Sequence, residues 1–124
     1  MRAPKISSAA AGIFLLLFGS SVMATPLQDM ANIMLNLNHR PSAAEKQDLQ
    51  KIIDNKTSTS WERTIATAIM HIEHHARPVD QNALEDLMRE PSLPEQAREL
   101  ATIVAHINHH PSAEEKETLR KMLE

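Results

Sequence analysis

The sequence predicts an all-α protein of three tandem helix hairpins, six helices in all. Two observations support this prediction: an internal repeat of 35 residues, and apolar residues at helical spacing within each copy. Both features lie in 25–124, so we expect one helical domain there. Its repeats are predicted at about 25–59, 60–94 and 95–124.

Three histidines mark the repeat, because His39, His74 and His109 follow one another at intervals of 35 residues. Aligned without gaps, segments 30–53 and 100–123 are identical at 11 of 24 positions. The middle copy, 65–88, matches the third copy at seven positions. Three ungapped copies at one period indicate internal duplication.

Each copy reads as one helix, a tight turn and a second helix. The first helix carries an apolar stripe at spacings of three and four, such as Ile65, Ile69 and Ile72 in the middle copy. The second helix has a narrower apolar face, such as Leu84, Leu87 and Met88. The predicted helices cover roughly 26–39, 42–54, 60–75, 79–89, 94–109 and 112–123.

Capping residues agree with these boundaries. Capping boxes, in which a Ser or Thr caps the helix and a Glu or Gln three residues later reaches back, are predicted at two of the second helices, for Ser42 with Glu45 and Ser112 with Glu115. Start signals of the three first helices are Thr25 with Gln28, Thr59 with Glu62, and Ser92 with Glu95. Pro78 is predicted at the first position of the fourth helix. Since 25–124 lacks glycine, Asn38, Asn55 and Asn108 are the expected C-terminal caps.

A helix hairpin repeated every 35 residues resembles the tetratricopeptide-type α-hairpin repeats in period and helix order. The tryptophan, glycine and tyrosine typical of that family's first helix are absent. The resemblance implies a short right-handed α-solenoid whose first helices line a groove for a partner. Six helices could instead close into a compact bundle, and the sequence leaves both arrangements open.

Residues 1–24 read as a secretory signal peptide: a positive start, an apolar stretch from Ile6 to Phe18, and small side chains before a cut after Ala24. We therefore expect an exported protein, periplasmic or secreted. Residues 25–124 carry 11 basic and 16 acidic side chains, a net charge of −5, without a Lys/Arg cluster. That balance argues against nucleic acid as a partner and against membrane association after cleavage of the signal.

The candidate binding residues lie on the polar side of the first helices, opposite the apolar stripe. If those helices stack side by side, the equivalent positions of the three copies form one continuous ridge. The predicted ridge consists of Asn32, Asn36, His39, Thr67, His71, His74, Thr102, His106 and His109. The histidines near the helix ends could also act by stabilising the helix dipole.

An alternative use of the same region is transition-metal binding, because histidines three and four residues apart lie close together on a helix. Imidazoles without thiolates suit Zn, Cu(II) or Ni(II). The candidate ligands are His71, His74, His75, His106, His109 and His110. The His-Glu-x-x-His pattern of hydrolytic zinc sites is absent, as are glycine-rich phosphate loops in 25–124.

The sequence thus predicts a non-enzymatic protein that needs no cofactor. It is expected to act as an interaction module that binds a protein or peptide through the polar ridge. The alternative is a histidine-based binder or buffer of a transition metal.

Overall fold

The computed structural model describes residues 24–124 as six α-helices, without a strand in that range. The predicted signal peptide, apart from Ala24, lies outside the described residues. We number the helices α1 (Pro26–Leu35), α2 (Ala43–Asp54), α3 (Ser60–Met70), α4 (Pro78–Met88), α5 (Glu95–Ala105) and α6 (Ala113–Met122). No helix within 24–124 combines the length and apolarity needed to cross a bilayer. The all-α prediction of three hairpins is confirmed.

The first helix of each hairpin is about four residues shorter than predicted. The helices α1, α3 and α5 end at Leu35, Met70 and Ala105, whereas the prediction extended them to residues 39, 75 and 109. The repeated histidines therefore lie in the connecting loops and not in the last helical turn. The chain leaves the helix early because the loop turns back through a residue with positive φ.

Both predicted capping boxes form, at Ser42 and Ser112, and the start signals at Thr25 and Thr59 also form capping boxes. The start signal at Ser92 does not cap its helix, because Pro94 is the N-cap of α5 and it makes no side-chain bond. In α4 the helix starts at Pro78, as predicted. There Arg77 takes the cap position and Asp80 the third helical position, and their side chains form an ion pair with Nε–Oδ2 at 2.7 Å. This ion pair stands where the other hairpins have a capping box.

The three hairpins close into a ring. Each second helix packs against the first helix of the following hairpin, α2 on α3 and α4 on α5, and α6 returns to pack on α1. The first helices α1, α3 and α5 contact one another at the centre. The arrangement is the compact bundle of the two predicted alternatives, with the copies related by a pseudo-three-fold axis.

Equivalent side chains from the three copies build the core. Positions 30, 65 and 100 are fully buried, as are positions 34, 69 and 104 on the first helices. The second helices each contribute one fully buried leucine, namely Leu49, Leu84 and Leu119. Trp61 is half-buried and packs on the edge of this core. Burial of equivalent apolar positions around one axis holds the three hairpin loops at a common end.

Candidate functional site: the histidine end of the bundle

The loops inside the three hairpins meet at one end of the bundle, which we call the histidine end (36–41, 71–76 and 106–111). Each loop is anchored by a buried residue two positions before its repeated histidine and another two positions after it. These anchors are Leu37 and Pro41, Ile72 and Ala76, and Ile107 and Pro111. Anchors on both sides leave the histidine little freedom in its backbone conformation.

The repeated histidines His39, His74 and His109, here called the axial histidines, have φ values of 74°, 68° and 71°. These are the only positive φ values in residues 24–124. A non-glycine residue in this left-handed region costs roughly 1–2 kcal/mol, although histidine enters it more readily than most. Asn38 and Asn108, predicted as helix caps, instead lie directly before these turns.

A closed ring of backbone hydrogen bonds joins the three loops. The N–H of His39 donates to the carbonyl of His109, the N–H of His109 to that of His74, and the N–H of His74 to that of His39. All three N···O distances are 2.7 Å. Each left-handed histidine thus donates to one neighbouring loop and accepts from the other.

The three axial imidazoles form a compact cluster at the axis. Their ring centres are 4.9 Å apart for His39 and His74, 5.1 Å for His39 and His109, and 4.8 Å for His74 and His109. Each pair packs edge to face, with interplanar angles of 82°, 85° and 65°. The ring of His75 lies 5.4 Å from that of His109 at the margin of the cluster.

Asparagine side chains orient two of the axial rings. The Nδ1 of His39 lies 3.2 Å from Oδ1 of Asn38, and the Nδ1 of His109 lies 2.7 Å from Oδ1 of Asn108. An amide oxygen only accepts, so Nδ1 carries the proton in both rings. In a neutral ring this leaves Nε2 with a free lone pair.

The pKa of His109 is lowered from its ordinary value of 6.5. Desolvation is the main cause, because the ring is half-buried at the axis. The positive charges of His74, His39, His75 and His110 lower this pKa further. Crowding of imidazoles therefore favours the neutral form of His109.

His71 and His106 belong to the same end but not to the cluster. They are the C-cap residues of α3 and α5, at the position that Asn36 occupies after α1. The Nδ1 of His71 lies 2.8 Å from the carbonyl of Thr67, and that of His106 lies 3.0 Å from the carbonyl of Thr102. Each ring thus bonds to a carbonyl of its own helix.

The remaining ridge residues lie apart from one another. Asn32 lines a cleft between α1 and α2, whereas Thr102 lines another between α5 and α6. The Thr67 hydroxyl donates to the carbonyl of Arg63 in its own helix. Hairpins related by rotation point equivalent side chains in different directions, so of the nine predicted residues the structure brings together the three axial histidines.

A cleft of about 510 Å³ opens beside the cluster, between α2 and the loop of the second hairpin. Basic side chains dominate its polar lining, with Lys46, His71, His75 and Arg77 against the single carboxylate of Glu73. Met70, Ile72, Ala76 and Pro78 supply the apolar lining. Lys46 and Arg77 were not among the predicted site residues, since the packing of α2 against the second hairpin is a tertiary contact.

The six histidines of the metal alternative do not converge as one set, because His71 and His106 are C-cap residues of separate helices outside the axial cluster. Within 24–124, no three histidine, aspartate or glutamate side chains have donor atoms already gathered around one ion position. The axial cluster includes His39, which the alternative had left out. The signal that could have identified the axial cluster is the presence of histidine at the same repeat position in all three copies, at residues 39, 74 and 109.

Comparison with known proteins adds no assignment. No protein-family model matches the chain, and neither a curated protein nor a solved structure matches it.

Proposed function

We propose that the protein is a non-enzymatic interaction module that binds an acidic peptide segment at its histidine end. The carrying observation is the cleft beside the axial cluster, in which basic side chains surround an apolar lining. An exported protein of this kind would meet its partner outside the cytoplasm.

Charge supports an acidic partner. Residues 25–124 are net negative, but the loops of the histidine end contain seven histidines and one arginine, Arg40, against one carboxylate, Glu73, and a second arginine, Arg77, directly follows the second loop. Of the arginines, Arg77 is paired with Asp80 and Arg40 is exposed. Opposite charges attract and orient an approaching segment, and the attraction strengthens as imidazoles take up protons.

The apolar lining supports a peptide over a simple anion. A peptide can place an aliphatic side chain against Met70 and Pro78 while its carboxylates meet Lys46 and His71. Such a mixture of an apolar contact and a few fixed polar groups is typical of a binding cleft. The triplicated histidine end also favours binding over catalysis, because catalysis usually needs an acid and a base in different environments.

The test uses fluorescence anisotropy with two labelled decapeptides, one of alternating Glu and Leu and one of alternating Lys and Leu. We expect the acidic peptide alone to bind, and its binding to weaken as salt rises. The Lys46→Glu variant should weaken binding about tenfold, which corresponds to about 1.4 kcal/mol.

Lys116→Glu is the matched control, since it makes the same exchange at the equivalent position of the third copy, away from the cleft. It should bind the acidic peptide as the unaltered protein does. Equal binding of the two peptides, or equal losses in the two variants, would contradict the proposal.

A further inference from the structure

The axial histidines occupy a backbone position that glycine would fill with less strain. All three copies nevertheless carry histidine there. A ring of backbone bonds can form without any side chain, so it does not explain this choice. Strain that is kept at one place in all copies points to a role for the side chain itself.

The spacing of the three rings fits a shared ion. Three Nε2 atoms at the Zn–N distance around a tetrahedral ion place the ring centres about 5 Å apart. The observed separations are 4.8, 4.9 and 5.1 Å. Each imidazole belongs to a different hairpin. The spacing of the three imidazoles therefore depends on the closure of the three hairpins around the axis.

The hydrogen bonds of the rings also suit metal ligation. Metal-binding histidines usually donate their other ring N–H to an oxygen that orients the imidazole. Asn38 and Asn108 provide this acceptor for His39 and His109, which leaves Nε2 free to bind an ion. The second copy has Glu73 at the corresponding position before His74.

We propose that the three axial histidines bind one divalent transition-metal ion on the pseudo-three-fold axis. Zinc, copper(II) and nickel are the ions that suit three imidazoles without a thiolate. The fourth coordination position then faces solvent at the end of the bundle. This site differs from the predicted metal alternative, because it requires His39 and does not require His71 or His106.

Within 24–124 the donor atoms of the three axial rings do not meet around one ion position, so binding requires the rings to rotate. His74 is exposed, and the other two axial rings are half-buried, so each can turn about its side-chain bonds. Asn38 and Asn108 are exposed and can follow their rings. The three backbone hydrogen bonds between the loops keep their geometry while the imidazoles rotate.

The test is calorimetric titration of the chelator-treated protein with Zn(II), Cu(II) and Ni(II) at pH 7.5. We expect one ion per chain at micromolar affinity or tighter for at least one of the three. His39→Asn removes a ligand at a position where asparagine tolerates positive φ, and it should weaken binding at least about 100-fold. Circular dichroism confirms that the variant remains helical.

The matched control is His106→Asn, which gives the third copy the C-cap residue that Asn36 provides in the first. This variant should bind the ion with unchanged affinity. A His39→Asn variant that still binds tightly would overturn the axial site, and equal losses in the two variants would do the same. Should His39→Asn fail to fold, His109→Asn provides the same test.

If none of the three ions binds at micromolar affinity, the proposal is wrong. Peptide binding at the Lys46 cleft uses different residues, so either proposal can fail while the other stands.

Discussion

The two ends of the bundle reverse the chain direction between consecutive helices in different ways. At the histidine end, all three loops use a left-handed histidine and share one ring of backbone bonds. At the opposite end, the connections 55–59 and 89–94 use no positive φ, and an arginine from the following helix binds their carbonyls. At the opposite end the polar contacts stabilise the connections, whereas the histidine end keeps three polar side chains on strained backbone. This contrast supports the proposals that assign binding to the histidine end.

Truncating the arginine at the opposite end should have the largest effect. Arg98 donates to the carbonyls of Met88, Glu90 and Leu93, so Arg98→Ala removes three hydrogen bonds that hold this connection. We expect the free energy of unfolding to fall by about 1–3 kcal/mol in urea denaturation. Arg120→Ala, which removes an exposed i,i+3 ion pair, is the control and should change it by less than about 0.5 kcal/mol. A loss in Arg98→Ala as small as in the control would remove the stabilising role assigned to this end.

The positive φ of the histidine end can be tested by comparing alanine with glycine at one position. At His74, with φ of 68°, alanine should be less stable than glycine by about 1 kcal/mol, because only glycine enters the left-handed region freely. At His71, with φ of −101°, the alanine variant should be as stable as the glycine variant or more stable. Thermal and urea unfolding of the four variants measures both differences. Equal stability of His74→Ala and His74→Gly would mean that the loop is unstrained.

The helices and the histidine loops differ in how far sequence could predict them. Period and apolar spacing predicted six helices, and the Ser42 and Ser112 caps were predicted from local chemistry. The left-handed histidines were not predicted, because a positive φ at His39 depends on bonds to residues 35 and 70 positions away. The nine-residue ridge assumed copies related by translation, whereas a closed ring relates them by rotation. Ring closure, which separates Asn32 from Thr102 and gathers the axial histidines, is a tertiary property.

The caps that end the loops of the histidine end should contribute a moderate amount. The Ser112 hydroxyl oxygen accepts from the backbone N–H of Glu115 at 3.1 Å, and the Glu115 carboxylate accepts from the backbone N–H of Ser112. Ser112→Ala should lower the free energy of unfolding by about 1 kcal/mol. Ser92→Ala is the matched control, since Ser92 caps no helix in the structure, and it should be nearly neutral. A similar loss in both variants would show that the capping bond is not the cause.

The smallest effect concerns the proton equilibrium of His109 in metal-free protein. Because burial and neighbouring imidazoles lower its pKa, NMR titration should place that pKa below 6.5. His75→Asn removes one of the neighbouring charges, so it should move the pKa of His109 back toward 6.5. Between 6.5 and the lowered pKa, the unfolded chain binds more protons at this residue than the folded chain does. Its contribution to the free energy of unfolding therefore decreases as pH falls through that window. A pKa at or above 6.5 would mean that the imidazoles are farther apart in solution, which would weaken the case that the histidine end gathers them at one axis.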